Sequence, residues 1–195
     1  MRLFAAIEAG TALREELRER IGRARSQLPS ASWVRPEAMH LTLAFLGDHP
    51  GENLPVIGAA IETAVGSHAP FVLRSSSPGF FPMRGAPRVG WLAVEPAAPA
   101  CSLADSVRSE LTRFRIAFDS KRFVPHLTLC RMRGRWTAAD QSRFAQVFET
   151  IRDCEFEVRE VILFRSELAA KGAIHHPEKR AVLRGGALSA PHVTI

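Results

Sequence analysis

The tetrapeptide His40-Leu41-Thr42-Leu43 recurs letter for letter as His126-Leu127-Thr128-Leu129, at an offset of 126 − 40 = 86 residues. Self-similarity at a fixed offset marks a repeated structural unit, and a chain of 195 residues has room for two such units and no more. Each copy falls in a strand-forming run, Met39 to Leu46 and Phe123 to Arg131, and a helical pattern follows each. The repeat predicts two pseudo-equivalent lobes, each carrying one copy.

The rest of the periodicity fills in a mixed α+β chain. Strands are expected at Arg2 to Glu8, Phe71 to Arg74, Arg88 to Val94 and Ala181 to Leu183, with one long strand over Phe156 to Arg165. A helix opens at Thr11 as its N-cap and buries Leu13, Leu17, Ile21, Ala24 and Leu28 before Pro29 and Ser30 end it. Further helices are expected over Asn53 to Val65, Ala100 to Arg115 and Thr137 to Ile151. The turn-rich SSSPGFFPMRGAP, residues 75–87, reads as a loop. No long linker interrupts the chain, so residues 1–195 are expected to form a single domain of two lobes.

With 46% hydrophobic and 24% charged residues the composition excludes disorder, collagen and coiled coil. Cys101, Cys130 and Cys154 are an odd set without C-x-x-C spacing, which argues against a disulfide framework and a structural zinc site. The N-terminal stretch reaches charged residues too soon for a signal peptide, and no apolar run approaches a membrane span. A cytoplasmic protein is expected. The net charge is +6, and because Lys121, Lys171 and Lys179 are the only lysines, nearly all the positive charge is arginine, which suits phosphate-rich partners such as RNA.

In a strand His40 and Thr42 share one face while Leu41 and Leu43 share the other, and the same holds for His126 and Thr128. Each pair offers an imidazole that exchanges a proton near neutral pH and a hydroxyl that binds a phosphate oxygen. Two such pairs facing each other across a groove would grip one phosphodiester, one imidazole as base and the other as acid. A third His-x-Thr, His192-Val193-Thr194, has no element after it and is expected to play no part.

These paired motifs resemble those of the two-histidine (2H) phosphoesterase superfamily, whose hallmark is two H-x-T/S-hydrophobic motifs. Within it the chain is similar to the bacterial RNA 2′,3′-cyclic phosphodiesterases, historically called 2′-5′ RNA ligases. The similarity runs through MRLFAAIE, WVRPEAMHLTLAFLG, FFPMRGAPRVGWLAV, FVPHLTLCR and VILFRSEL. It implies a bilobal α+β fold, with antiparallel sheets flanking a central groove, and opening of a 2′,3′-cyclic phosphate to a 2′-phosphate without metal or cofactor.

On this chain the resemblance assigns His40 and His126 to catalysis, with Thr42 and Thr128 on the phosphate. His126 would activate water and His40 would protonate the departing 3′-oxygen. Arg131 stands where this branch carries an arginine, but it has the opposite facing parity to His126 and needs a bulge or a strand end to reach the phosphate; the other reading is a solvated surface arginine. Phe81, Arg84 and Arg88 would form a rim for a base and a backbone phosphate, while Phe80, Trp33 and Phe45 read as packing residues. His175 and His176 fall where relatives carry a tyrosine; adjacent strand residues face opposite ways and make poor joint metal ligands. The expected partner is RNA with a cyclic phosphate end, tRNA fragments among them, and the expected state is a monomer. Other readings are an RNA-binding module without turnover, or a phosphodiesterase acting on a small cyclic nucleotide or a 2′-5′ oligonucleotide.

Overall fold

The computed structural model describes residues 1–149, 151, 154–169 and 172–185; His192 to Thr194 lie outside them. Among the described residues the strands are β1 (Arg2–Glu8), β2 (Ala31–Trp33), β3 (His40–Asp48), β4 (Phe71–Phe81), β5 (Val89–Glu95), β6 (His126–Met132), β7 (Glu155–Val158), β8 (Glu160–Ala169) and β9 (Gly172–Val182). The helices are α1 (Thr11–Gln27), α2 (Leu54–Gly66), α3 (Ala97–Arg113) and α4 (Ala138–Glu149). None of these helices is long and apolar enough to cross a membrane.

All strands pair antiparallel in the order β7-β4-β5-β6-β3-β1-β8-β9, with β2 added to β6. The order divides into two four-stranded halves, each ending in one of the repeated tetrapeptides. A single residue pair, Leu41 with Leu127, joins them. Helices α2 and α3 pack together on the half containing β3, β8 and β9, whereas α1 and α4 pack on the half containing β4 and β7. The lobes are therefore interleaved in sequence: α1 follows β1 but crosses to the other half, and α3 follows β5 and crosses back.

All four helices cover one face of the sheet. Their apolar stripes, Leu13, Leu17 and Ile21 on α1 or Leu103, Val107 and Leu111 on α3, recur at helical spacing and are fully or almost fully buried. They meet alternate residues of the strands, including Leu3, Leu41, Leu43, Leu92, Leu127 and Leu129, in one core that runs across both halves. On the opposite face a small cluster of Phe4, Ala6, Ile162 and Phe164 is buried among the described residues, and that face carries the candidate site.

Four expectations need correction. The N-cap of α1 is Gly10, without a side-chain cap, and Thr11 is the first helical residue; a Cβ at Gly10 would come within 2.4 Å of the Phe156 Cβ, which excludes a side-chain-bearing cap. The loop expected from Ser75 is strand as far as Phe81: Pro78 sits at a pairing irregularity, where the missing N–H is tolerated, and Ser75 is buried with its hydroxyl bonded to the Ile151 carbonyl. The single long strand over Phe156 to Arg165 is two strands, β7 at one edge of the sheet and β8 beside β1, with the chain crossing between halves at Arg159. The last strand begins at Gly172, not Ala181, and β2 lacks enough alternation to announce itself.

Gly90 on β5 faces the core, and a Cβ there would stand 2.7 Å from Cζ of the fully buried Phe144 and 3.0 Å from Cys130 Sγ. Overpacking of this kind costs about 1–3 kcal/mol. Gly90→Ala is expected to lower the unfolding free energy by that amount, read as a lower urea midpoint at an unchanged m-value; an unaffected midpoint would mean that β5 has room to shift.

Candidate active site

With Leu41 and Leu127 paired and pointing into the core, His40, Thr42, His126 and Thr128 stand on the opposite face of the sheet. The antiparallel register carries His40 towards Thr128 and Thr42 towards His126. Burial repeats along the two strands: half-buried, buried, half-buried, buried, buried, exposed, from His40 to Phe45 and from His126 to Arg131.

Two buried residues in succession break the alternation, and the pairing explains why. The ladder with β1 passes from Thr42 to Ala44, and the ladder with β5 from Thr128 to Cys130, so Leu43 and Leu129 are bulged. Each bulge carbonyl has a partner: Arg108 Nε donates to Leu43 (3.1 Å) and the Val34 N–H donates to Leu129 (2.9 Å). The bulge reverses the parity beyond it. Arg131, paired with Val89, therefore joins the face that holds the Trp91–Thr128 and Ala93–His126 pairs. Its guanidinium is exposed and has no side-chain partner among the described residues. The equivalent bulge corrects the reading of Phe45 as a packing residue, since its ring is 49% exposed on the site face. Trp33 lies on the core side, stacked against Phe144 and Phe148.

Both histidines are anchored alike. His40 Nδ1 lies 2.8 Å from the Ala38 carbonyl, and His126 Nδ1 lies 2.7 Å from the Val124 carbonyl. A carbonyl only accepts, so Nδ1 carries the hydrogen and Nε2 is left with the lone pair for proton exchange. The rings rest on aromatic surroundings. His40 lies 4.7 Å from the Phe4 ring and meets His175 edge-on at 5.2 Å. His126 meets Phe81 edge-on at 4.9 Å, with Trp91 at 6.0 Å. Burial pushes the His40 imidazolium down to about 4, assisted by the neighbouring His175 and His126 and opposed by the Ala38 hydrogen bond. Burial also lowers His126, against the Val124 hydrogen bond. Both imidazoles are neutral at pH 7 in the free protein.

Phe81 is thus placed on His126, while Phe80 on the other face packs against Phe144 at 5.0 Å. Arg84 lies in the turn between β4 and β5, and Arg88 at the head of β5 is held by its backbone to Phe81 and Met132; both side chains are exposed at the rim, away from the histidines' own contacts. Trp91 gave no signal in the sequence, because a tryptophan in a strand reads as packing. It is accommodated by Gly79 across the ladder, where a Cβ would strike the indole at 2.3 Å.

Beside His40, on the side away from His126's aromatic neighbours, lies a cavity of about 340 Å³ whose lining includes Glu8, Arg35, Glu37, Phe164 and His175. None of these was singled out for the site by its sequence context. His176 points elsewhere, towards Glu167 (3.3 Å). Among the described residues no group of three or more His, Cys, Asp or Glu side chains is arranged to hold a metal ion.

Two neighbouring His-x-Thr strands that present both motifs on the open face of an interleaved antiparallel sheet define the 2H phosphoesterase class. A family model described as the 2′-5′ RNA ligase superfamily matches residues 13–170. The chain is 34% identical over 194 residues to an RNA 2′,3′-cyclic phosphodiesterase of Thermus thermophilus, with 95% of this chain and 91% of that protein covered. It is 31% identical over 175 residues to a protein of the same name from Archaeoglobus fulgidus, covering 90% and 96%. Among solved structures it superposes on TT0787 of Thermus thermophilus with a TM-score of 0.79 at 30% identity, covering 95% and 99% of the two chains. The match to E. coli LigT complexed with 3′-AMP has a TM-score of 0.71 at 25% identity, covering 93% and 97%. The chain belongs to the 2′-5′ RNA ligase superfamily.

The neutral anchored imidazoles generate a direct expectation. In a proton NMR titration of the free protein His40 should protonate with a midpoint of about 4, and His126 below the ordinary histidine value. Inorganic phosphate in the site should raise both midpoints, because an anion favours the imidazolium. Ordinary midpoints that ignore phosphate would show that the rings are solvated and the site is not formed as described.

Proposed function

We propose that this chain hydrolyses 2′,3′-cyclic phosphate ends of RNA to 2′-phosphates by a two-histidine acid–base mechanism that needs neither metal nor cofactor. The observation that carries the reading is the pair of imidazoles anchored through Nδ1 on one face, across a single residue pair, with a threonine beside each. The names of the curated relatives support the substrate class.

In this mechanism the Nε2 of His126 takes a proton from water, whose oxygen attacks phosphorus. The bond from phosphorus to the 3′-oxygen breaks, and protonated His40 delivers its proton to that oxygen. The 2′-ester survives, so the product is the 2′-phosphate. The Thr42 and Thr128 hydroxyls donate to the non-bridging oxygens, and the Arg131 fork adds a charged contact to them. His40, held neutral by burial in the free protein, becomes protonated as the phosphate arrives, because the bound anion offsets the desolvation of the imidazolium. A 5′-hydroxyl in place of water would make a 2′-5′ linkage by the same bond changes.

Positioned acid–base groups contribute roughly 10²–10⁴-fold each. His40→Ala and His126→Ala are each expected to lower kcat for a nucleoside 2′,3′-cyclic phosphate by at least about 100-fold, while EDTA leaves the wild type unaffected and chromatography identifies the 2′-phosphate. A cyclic substrate with sulfur at the bridging 3′ position separates the roles, since a thiolate departs without a proton. It should rescue His40→Ala and leave His126→Ala inactive; rescue of His126→Ala alone would exchange the two assignments, and no turnover by folded wild type would sink the reading.

Arg131→Lys keeps the charge and loses the fork. Because hydrogen bonds to charged groups are worth about 1.5–3 kcal/mol, KM should rise by roughly tenfold or more. An unchanged KM would place Arg131 outside the phosphate contact.

A further inference from the structure

We propose that the cavity beside His40 holds the base of the nucleotide bearing the cyclic phosphate, and that the Glu8 carboxylate selects guanine there by accepting its N1–H and N2–H. The inference rests on the proposed hydrolysis, in which His40 protonates the departing 3′-oxygen. That assignment puts the ribose on the His40 side of the phosphate, and the cavity is the space into which its base can turn.

Glu8 ends β1 as the direct cross-strand partner of His40, on the same face of the sheet. Its carboxylate is half-buried in the cavity wall and has neither hydrogen bond nor ion pair among the described residues. Glu37, the other acid in the lining, is committed to Arg18 at 2.5 Å. A half-buried carboxylate without a partner is satisfied by a ligand that brings N–H donors. At the Glu8 wall the same charge disfavours a phosphate, so the group seated against it is a neutral part of the substrate with N–H donors.

The remaining walls suit a flat heterocycle. Phe164 and His175 present rings, Ile174 is apolar, and Arg35 at the mouth offers donors to ring nitrogen or carbonyl oxygen. A volume of about 340 Å³ is at the small end of ligand sites. On the other half of the sheet, the residues paired with His126 and Thr128 are Ala93 and Trp91, where His40 and Thr42 have Glu8 and Ala6. At those two positions stand a methyl group and an indole, where the His40 side has a carboxylate.

Among the four bases guanine alone presents two adjacent donors, N1–H and the 2-amino group, to the two oxygens of one carboxylate. Adenine and cytosine present one amino group each. Uracil presents a single N–H flanked by two carbonyl oxygens, which the carboxylate repels.

The test compares kcat/KM for guanosine and uridine 2′,3′-cyclic phosphates, in wild type and in Glu8→Gln. Wild type should favour guanosine by at least about tenfold, the discrimination of a good bidentate contact. In Glu8→Gln the guanosine-to-uridine ratio should fall towards one. A ratio measured on one preparation does not depend on how much of it is folded. Calorimetric binding of guanosine and uridine 2′-monophosphates measures the same preference without turnover. Equal binding of the two, or a ratio that survives Glu8→Gln, overturns the base site even where both cyclic phosphates are hydrolysed. Guanosine-selective binding that Glu8→Gln abolishes, with no turnover of either nucleotide, supports the base site and overturns the hydrolytic reading instead.

Discussion

One backbone pairing, Leu41 with Leu127, fixes what the polar face of this protein presents. Because strand side chains alternate, a slip of one residue in either strand would turn its histidine and threonine into the core and its leucines into the groove. The slip is opposed by the complete burial of Leu41, Leu43, Leu127 and Leu129 beneath the helices. Each such side chain is worth about 1.5–3 kcal/mol relative to exposure. The contact between halves is minimal in hydrogen bonds, yet its register is specified by the whole core on the other side. The bulges at Leu43 and Leu129 depend on the same arrangement. They keep two successive apolar residues down and bring Phe45 and Arg131 up, so the face gains a residue that strict alternation would deny it.

The aromatic floor has two consequences that pull in opposite directions. Packing Phe4 against His40 and Phe81 against His126 removes water from the imidazoles and, with the carbonyl anchors on Nδ1, defines which nitrogen is reactive. It also holds both rings neutral, which prepares a base and opposes an acid. A site of this kind has no standing positive charge on its histidines and acquires one with its ligand: the anion makes protonation favourable, and protonation strengthens the hold on the anion. In the proposed hydrolysis, binding of the phosphodiester and uptake of the proton are then one linked event. Permanent positive charge on this side of the sheet comes from arginine: Arg131 is exposed beyond the bulge of β6, and Arg35 lines the cavity beside His40.

The repeated tetrapeptide carried much of this in the sequence, since a motif that occurs twice in matching strand context fixes two strands and the shared face of four side chains. The helical stripes were equally legible, because spacing of three and four residues is a local property. What escaped was non-local. The break at Arg159 divides a continuous apolar alternation into strands at distant places in the sheet, and nothing in the alternation records the crossing. Phe45 was misread because a bulge is a property of the pairing, and the sequence of one strand does not contain it. Glu8, Trp91 and His175 are single residues in ordinary strand contexts; only the register of β1, β5 and β9 against their neighbours brings them to the histidines.

The same register separates what the two halves share from what they do not. Each has a histidine anchored to the carbonyl two residues before it, a threonine two residues on, and a bulge after that. These are the features that acid–base chemistry on a symmetrical phosphate requires in duplicate. The cross-strand partners differ at every matching step: Glu8 against Ala93, Ala6 against Trp91, Phe4 against Val89, with Phe45 against Arg131 beyond the bulge. Beside Thr42 and His40 the cross-strand partners are Ala6 and Glu8, and a cavity lies there, whereas the partner of Thr128 is the indole of Trp91. A substrate with a nucleoside on one side of phosphorus and water on the other is itself unsymmetrical. In the proposed hydrolysis a frame with two equivalent histidines can orient such a substrate only through flanks that are not equivalent, and the residues opposite the two histidines differ in the way that task requires.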